Sequence, residues 1–283
     1  MGAGDASLVS RGQAVVGDLT IPYMKGGRGR PLLYLHGLGG WGRWDTFHIA
    51  LALTNTVYAP QLPGWADGRI PEGLNGAGDY SRIMAGLLDV FGVKDADVAG
   101  HSFGGWVAIH LAAENAGRIT KLVLMDPLGL DTPGTPAVNL EALDREEFLN
   151  AAFAQTGVVA VRRDFGAELE DVRSSPEFEK QWKSRDILIR LLRGRYGDPD
   201  LIKIAQGITA ATLILWGRED RLAPSGNAAA LAAAIPHATL AVIPETAHSP
   251  MRERRETSQR IVRNFLLGVE QDEDADLIVR PRI

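Results

Sequence analysis

The sequence predicts an α/β fold in which a mostly parallel central sheet carries helices on both faces and a helical insertion interrupts the second half of the chain. Three observations predict it. Short aliphatic or β-branched runs alternate with amphipathic stretches of helical period. Six of those runs are each followed by polar or glycine-rich sequence, as strands that deliver the chain to functional loops are. After the fourth run ends at Asp126, about 85 residues pass before the fifth begins at Thr212, far more than a crossover needs.

Taken in order, the opening QAVVGDLTIPYMKGG holds two extended segments around a Gly-Asp pair and reads as an antiparallel hairpin at a sheet edge. The six strands follow at 31–37, 57–64, 96–100, 121–126, 212–217 and 239–244, with helices expected near 44–53, 79–92, 103–115, 226–234 and 252–267. The long interval holds LEALDREEFLNAAFAQTG, PEFEKQWKSRDILIRLLRG and DPDLIKIAQG, three helical patterns separated by Gly, Pro and Ser-Pro breaks. Residues 1–126 and 209–268 are therefore assigned to the α/β core and 127–208 to a helical lid over the carboxyl ends of the strands. The acidic stretch 269–283 reads as a solvated, flexible tail, and no internal repeat is apparent.

With 283 residues, 45% hydrophobic and 23% charged, the chain can bury one large core without a second independent domain. A net charge of -5 offers no general attraction to phosphate backbones or anionic lipid, so neither nucleic acid nor membrane is expected as a partner. The absence of cysteine removes disulfides, thiolate nucleophiles and thiolate metal sites. The first residues lack the basic start and apolar run of a signal peptide, so a soluble cytoplasmic protein is expected. A homo-oligomer is left open.

Residues 100–104 read Gly-His-Ser-Phe-Gly between an expected strand and an expected helix. A serine at so sharp a turn sits in a strained conformation, and small neighbours at Gly100 and Gly104 let strand and helix approach. Ser102 taken alone could be a helix N-cap. To act as a nucleophile it needs a base within hydrogen-bonding reach. Of six histidines, His248 has the right address, in the loop after the last expected strand. His36 and His101 adjoin functional turns and read as structural hydrogen-bonding residues, and His48, His110 and His237 as structural or exposed.

The carboxylate that would orient His248 is assigned to Asp220, just beyond the strand TLILWG. Taken alone, Asp220 would read as a turn-forming or capping aspartate. Asp126, ending KLVLMD, is the competing acid, and the neighbouring Glu219 points away. An oxyanion would be met by backbone N–H groups of Phe103, after the serine, and of Leu38 in the turn HGLGGWGRW, where Gly39 is the other choice.

These segments together resemble the α/β-hydrolase superfamily from about residue 15 to residue 268. HGLGG resembles its oxyanion turn, QLPGWADG the loop after its next strand, GHSFGG its nucleophile elbow, WGREDRLAP its acid loop and PETAHSPMRERRE its histidine loop, in the order Ser102, Asp220, His248. The resemblance implies an α/β-hydrolase fold and a lidded serine hydrolase without metal or organic cofactor, acting on a small-molecule acyl substrate. Among lidded relatives, the aspartate nucleophile of haloalkane dehalogenases and epoxide hydrolases does not match Ser102. The HGGPG turn of proline iminopeptidases does not match HGLGG. C–C hydrolases of ring-cleavage products commonly carry a tryptophan after the catalytic histidine, where this chain has Ser249.

The expected activity is therefore cleavage of an ester or lactone through an acyl-enzyme on Ser102. C–C hydrolysis of diketone acids is the first alternative, and a lyase, a perhydrolase or a non-catalytic ligand-binding protein the further ones. Trp41 and Leu128, with Leu38 and Phe103, are expected to wall the pocket, and Trp106 to belong to the core. The lid arginines Arg162, Arg163, Arg185, Arg190, Arg193 and Arg195 read as an exposed face paired with nearby acids, and none is assigned to the site.

Overall fold

The structure is a computed structural model that describes residues 9–40, 42–65, 67–154, 176–269 and 278–279. It is built on one nine-stranded sheet in the order β1-β2-β4-β3-β5-β6-β7-β8-β9. The strands are β1 (Val9–Val16), β2 (Leu19–Gly27), β3 (Arg30–Leu35), β4 (Asn55–Pro60), β5 (Ala96–His101), β6 (Ile119–Met125), β7 (Ala211–Gly217), β8 (Ala238–Ile243) and β9 (Ile278–Val279). Pairing is parallel from β4 through β3, β5, β6 and β7 to β8, and antiparallel at both ends. The opening hairpin lies at the sheet edge, as its turn residues predicted. The tail, expected to be solvated, places Ile278 and Val279 against Leu240 and Ala241. That pairing covers the open edge that β8 would otherwise present.

The central strands β3, β5, β6, β7 and β8 are rich in aliphatic residues because both faces are covered. On one face Leu33, Leu35, Leu122, Leu124, Ile214 and Trp216 pack under α2 (Ala77–Val90), α3 (Phe103–Glu114) and α7 (Asn227–Ala234). On the other, Leu32, Tyr34, Val123, Met125, Leu213 and Leu215 meet α1 (Thr46–Ala52) and α9 (Arg255–Leu267). Asp45 caps α1, its Oδ1 accepting from the Phe47 and His48 amides at 3.0 and 3.2 Å. The helix expected at 252–267 is two pieces, α8 (Pro250–Glu253) and α9, because the chain leaves helical geometry at Arg254 (φ -125°, ψ 62°).

Between β6 and β7 lie α4 (Arg145–Ala152), α5 (Pro176–Leu192) and α6 (Leu201–Ala205). Phe148, Leu149, Leu188, Leu191 and Leu201 bury into the same cluster as the elbow helix α3. Arg185 is buried, contrary to the expected exposed face. It donates to the carbonyls of Leu140 (3.0 Å), Glu141 (3.2 Å) and Leu143 (2.8 Å) and lies 4.2 Å over the Trp182 ring. A guanidinium has five donors, enough to bond several carbonyls of the turn at 140–143 at once. Arg190 and Arg195 likewise donate to the carbonyls of Gly68 and Asn75 and tie the insertion to core loops. Arg162 and Arg163 lie outside the described residues. Among the described residues no helix is long and apolar enough to cross a membrane.

The turn from β5 into α3 depends on the missing side chains of two glycines. A Cβ on Gly100 would stand 2.4 Å from the Gly104 carbonyl oxygen, and one on Gly104 would stand 2.3 Å from that of Leu35. Gly100→Ala and Gly104→Ala should each lose about 1–3 kcal/mol or more in urea unfolding. Gly76→Ala, with open space around it, should lose less than about 1 kcal/mol. Equal losses at all three positions would contradict this account of the turn.

Candidate active site

Ser102 occupies the N-cap position of α3 but does not cap it: its side chain makes no bond to the helix, and its backbone is left-handed (φ 58°, ψ -123°). Such a conformation is costly for a residue with a side chain and persists only where its surroundings hold it. The serine amide donates to Met125 O (2.9 Å), and its carbonyl accepts from Gly105 (2.9 Å), Trp106 (3.1 Å) and Leu128 (3.1 Å). Four backbone bonds thus fix the turn and aim Oγ away from the helix.

That hydroxyl donates to His248 Nε2 at 2.8 Å, and His248 Nδ1–H donates to Asp220 Oδ2 at 2.8 Å. All three residues are buried, at 0%, 5% and 3% exposure. The two oxygens of Asp220 have different partners. Oδ1 accepts from the amides of Leu222 (2.8 Å) and Ala223 (2.9 Å) as a turn residue, which leaves Oδ2 for the imidazole. Asp126 does not bond His248; its Oδ1 accepts from the Gly217 amide at 2.8 Å. Glu219 points elsewhere, as expected, and accepts from the Thr246 amide at 3.0 Å.

The other buried histidines have polar partners of their own, and His48 and His101 also line the cavity over Ser102. His36 donates from Nδ1 to Gly37 O (2.9 Å) and accepts from the Leu62 amide at Nε2 (3.0 Å). Its neutral form is required for that pattern, and burial lowers its pKa to about 4. His101 donates from Nε2 to the His248 carbonyl at 2.7 Å, tying the elbow to the histidine loop, and burial holds its pKa well below the ordinary value. His48 bonds Asp45 (2.7 Å), His110 lies between Glu114 and Asp198, and His237 is exposed.

The cavity over Ser102 is about 30 Å³, room for about two waters. Leu38, Tyr34, Phe148, Phe153, Gln181, Leu222, Met251 and Arg252 contribute to its wall. Leu38 is therefore where the sequence placed it, and its N–H donates to none of the loop carbonyls among the described residues. Phe103 opens α3, so its N–H has no partner within the helix. Its ring is not in the wall. It stacks on Trp65 with centroids 5.3 Å apart, inside the core with Trp106. Leu128, expected in the wall, lies instead with Leu130, Leu140 and Leu192 around a neighbouring cavity. Its amide is held by the Ser102 carbonyl, which turns its side chain away from the hydroxyl. Trp41 lies outside the described residues. Among the described residues no cluster of side chains has the makings of a metal site.

Sequence reasoning missed Glu253. From α8 it accepts the amides of Ala247 (3.0 Å) at Oε1 and Ala154 (3.0 Å) at Oε2, so one carboxyl joins the histidine loop to the end of α4. The His248 amide reaches the same place, donating to Ala152 O at 3.1 Å. Only the run SPMRE, with proline at a helix start, signalled a short helix there.

A sequence profile of the alpha/beta hydrolase family matches residues 32–260. The chain is 26% identical over 266 residues to a 2-hydroxy-6-oxo-6-phenylhexa-2,4-dienoate hydrolase of Comamonas testosteroni, covering 88% of this chain and 92% of that one. It is 28% identical over 247 residues to a 2-hydroxymuconate semialdehyde hydrolase of Pseudomonas putida, with 85% and 88% covered. In fold it resembles a serine hydrolase from the polyaromatic hydrocarbon-degrading bacterium Cycloclasticus zankles, with a TM-score of 0.76 at 21% identity, over 92% of this chain and 98% of that one.

Burial pushes the Glu253 carboxyl up from 4.5 to about 7, with its backbone donors opposing the shift. Between those values the folded chain holds a proton that the unfolded chain has released. The stability this group contributes is thus full below 4.5 and lost as pH rises through 7. The melting temperature should fall more between about pH 5 and about pH 8 in the native chain than in Glu253→Gln. Parallel falls in the two proteins would rule the shift out.

Proposed function

Because this chain belongs to the alpha/beta hydrolase family, we propose that it is a serine hydrolase that cleaves a small ester or lactone through an acyl-enzyme on Ser102. The observation that carries the reading is the continuous relay from Ser102 Oγ through His248 to Asp220, two hydrogen bonds of 2.8 Å in a buried site. His248 takes the hydroxyl proton as Oγ attacks the carbonyl, and the Asp220 carboxylate stabilises the imidazolium that results. The N–H groups of Phe103 and Leu38 receive the oxyanion. His248 then protonates the leaving group, and a water activated by the same imidazole releases the acid. The protein works without a metal or organic cofactor in this scheme, as a soluble, cytoplasmic enzyme.

A second reading is favoured by the relatives, whose names describe hydrolysis of dienoates and a muconate semialdehyde. Such substrates carry a carboxylate beside the carbonyl chain. Arg252 contributes to the cavity wall and could meet that charge. The bond cleaved would then be C–C, with the same serine, histidine and oxyanion donors. Ser249, where C–C hydrolases commonly carry tryptophan, favours the ester reading.

A fluorophosphonate probe should label the native chain and leave Ser102→Ala unlabelled. Ser102→Ala and His248→Ala should lower kcat about a million-fold, and Asp220→Asn about ten-thousand-fold. Labelling that persists in Ser102→Ala would remove the serine from its role. A screen of p-nitrophenyl esters, lactones and vinylogous diketone acids separates the two bond types. The ester reading expects turnover of the first two, and turnover of diketone acids alone would overturn it. Arg252→Gln should raise KM about tenfold or more for carboxylate-bearing substrates and leave neutral esters unchanged if the second reading holds.

A further inference from the structure

The acid that orients His248 has a buried neighbour that the reaction above does not use. Asp126 follows β6 with a left-handed backbone (φ 44°), is 0% exposed, and hangs from β7 by its own amide, which donates to Leu215 O at 3.1 Å. Oδ1 accepts from the Gly217 amide at 2.8 Å, while Oδ2 is buried with no donor among the described residues. Asp126 and Asp220 meet at Gly217, whose amide bonds the Asp126 carboxyl and whose carbonyl accepts from the Asp220 amide at 3.3 Å. The charges of Asp220 and, to a smaller extent, Glu253 of α8 both disfavour an ionised Asp126.

Two carboxyl groups in contact inside a protein cannot both be ionised, and the charge settles where more donors receive it. Asp220 accepts three N–H bonds, from Leu222, Ala223 and His248, whereas Asp126 accepts one, from Gly217. The charge therefore belongs on Asp220. A proton on Asp126 Oδ2 turns an orphaned buried acceptor into a donor and removes the repulsion in one step. Burial and the Asp220 charge both push the Asp126 carboxyl well above the ordinary carboxylate range, which agrees in direction.

We infer that Asp126 is a neutral carboxylic acid that donates a hydrogen bond to Asp220, so that the acid of the relay is a pair of carboxyl groups sharing one negative charge. This rests on the proposed role of Asp220 as the partner of His248. Asp126 touches neither substrate nor the reacting atoms and is a positioning residue. It holds Asp220 so that Oδ2 meets the imidazole, and it draws charge from that carboxylate.

The test compares Asp126→Asn, whose amide can still accept from Gly217 and donate to Asp220, with Asp126→Leu, which can do neither. The infrared spectrum of the resting protein should show a protonated carboxylic acid band that disappears in Asp126→Asn and survives in Glu253→Gln and Ser102→Ala. Asp126→Asn should keep kcat within about threefold and lose activity at the same acidic pH as the native chain. Asp126→Leu should lose about tenfold to a hundredfold in kcat with little change in KM. Its acid-side fall in kcat/KM should move up by as much as about one pH unit, because an undonated Asp220 holds the imidazolium more strongly. The inference is overturned if no such band is lost in Asp126→Asn, or if that variant's acid-side fall moves to lower pH, the signature of a lost negative charge. The infrared arm needs no turnover, so it stands or falls apart from the proposed activity: persistent activity in Ser102→Ala would remove the serine mechanism and leave the carboxyl pair still decided by its band.

Discussion

Everything at this site depends on the close approach of α3 to β5 at Gly100 and to the end of β3 at Gly104. With no side chain at either position, backbone meets backbone at a separation that a Cβ would prevent, and Ser102 is forced into a left-handed conformation at the junction. The strain is held by four backbone hydrogen bonds to β6, α3 and the chain after β6, so the turn is as much a product of the sheet as of its own residues. Its consequence is chemical. A serine that could have capped a helix presents its hydroxyl to a histidine 146 residues farther along.

The histidine is placed by a second set of contacts, none of which involves the serine. His101 holds its carbonyl, Ala152 accepts its amide, Glu219 takes the amide of Thr246 and Glu253 that of Ala247. These bonds join the ends of β5, β7 and β8 to the end of α4, so the imidazole is located by several elements that are distant in sequence. Three of these four bonds use a side chain, that of His101, Glu219 or Glu253, so the placement of the histidine loop depends on those three residues.

Electrostatics sets a further limit. Asp126 and Asp220 are buried together with the half-buried Glu253 near them, and a low-dielectric interior does not accept three negative charges there. The count of N–H donors around each acid decides how the charge is shared. Asp220 accepts three N–H bonds against the one of Asp126 and keeps the charge beside the imidazole, while burial favours the neutral form of Asp126 and of Glu253.

Local chemistry made much of this legible from the residues alone. The aliphatic runs, the Gly-x-Ser-x-Gly turn, and an aspartate and a histidine each just beyond a strand determined the fold class and singled out Ser102, Asp220 and His248, three side chains that meet in the structure, because strand period, glycine sterics and loop position are properties of neighbours in the chain. Side-chain direction and long-range pairing are not. Only the tertiary structure turned the Phe103 ring into the core and Leu128 toward a different cavity, buried Arg185 among carbonyls, and brought Ile278 and Val279 to the edge of β8. It also placed Asp220, rather than Asp126, beside His248. Both end a strand and either could have been the acid by position, but the choice depends on which oxygen lies 2.8 Å from His248, a distance that exists only once β6, β7 and the histidine loop are packed together.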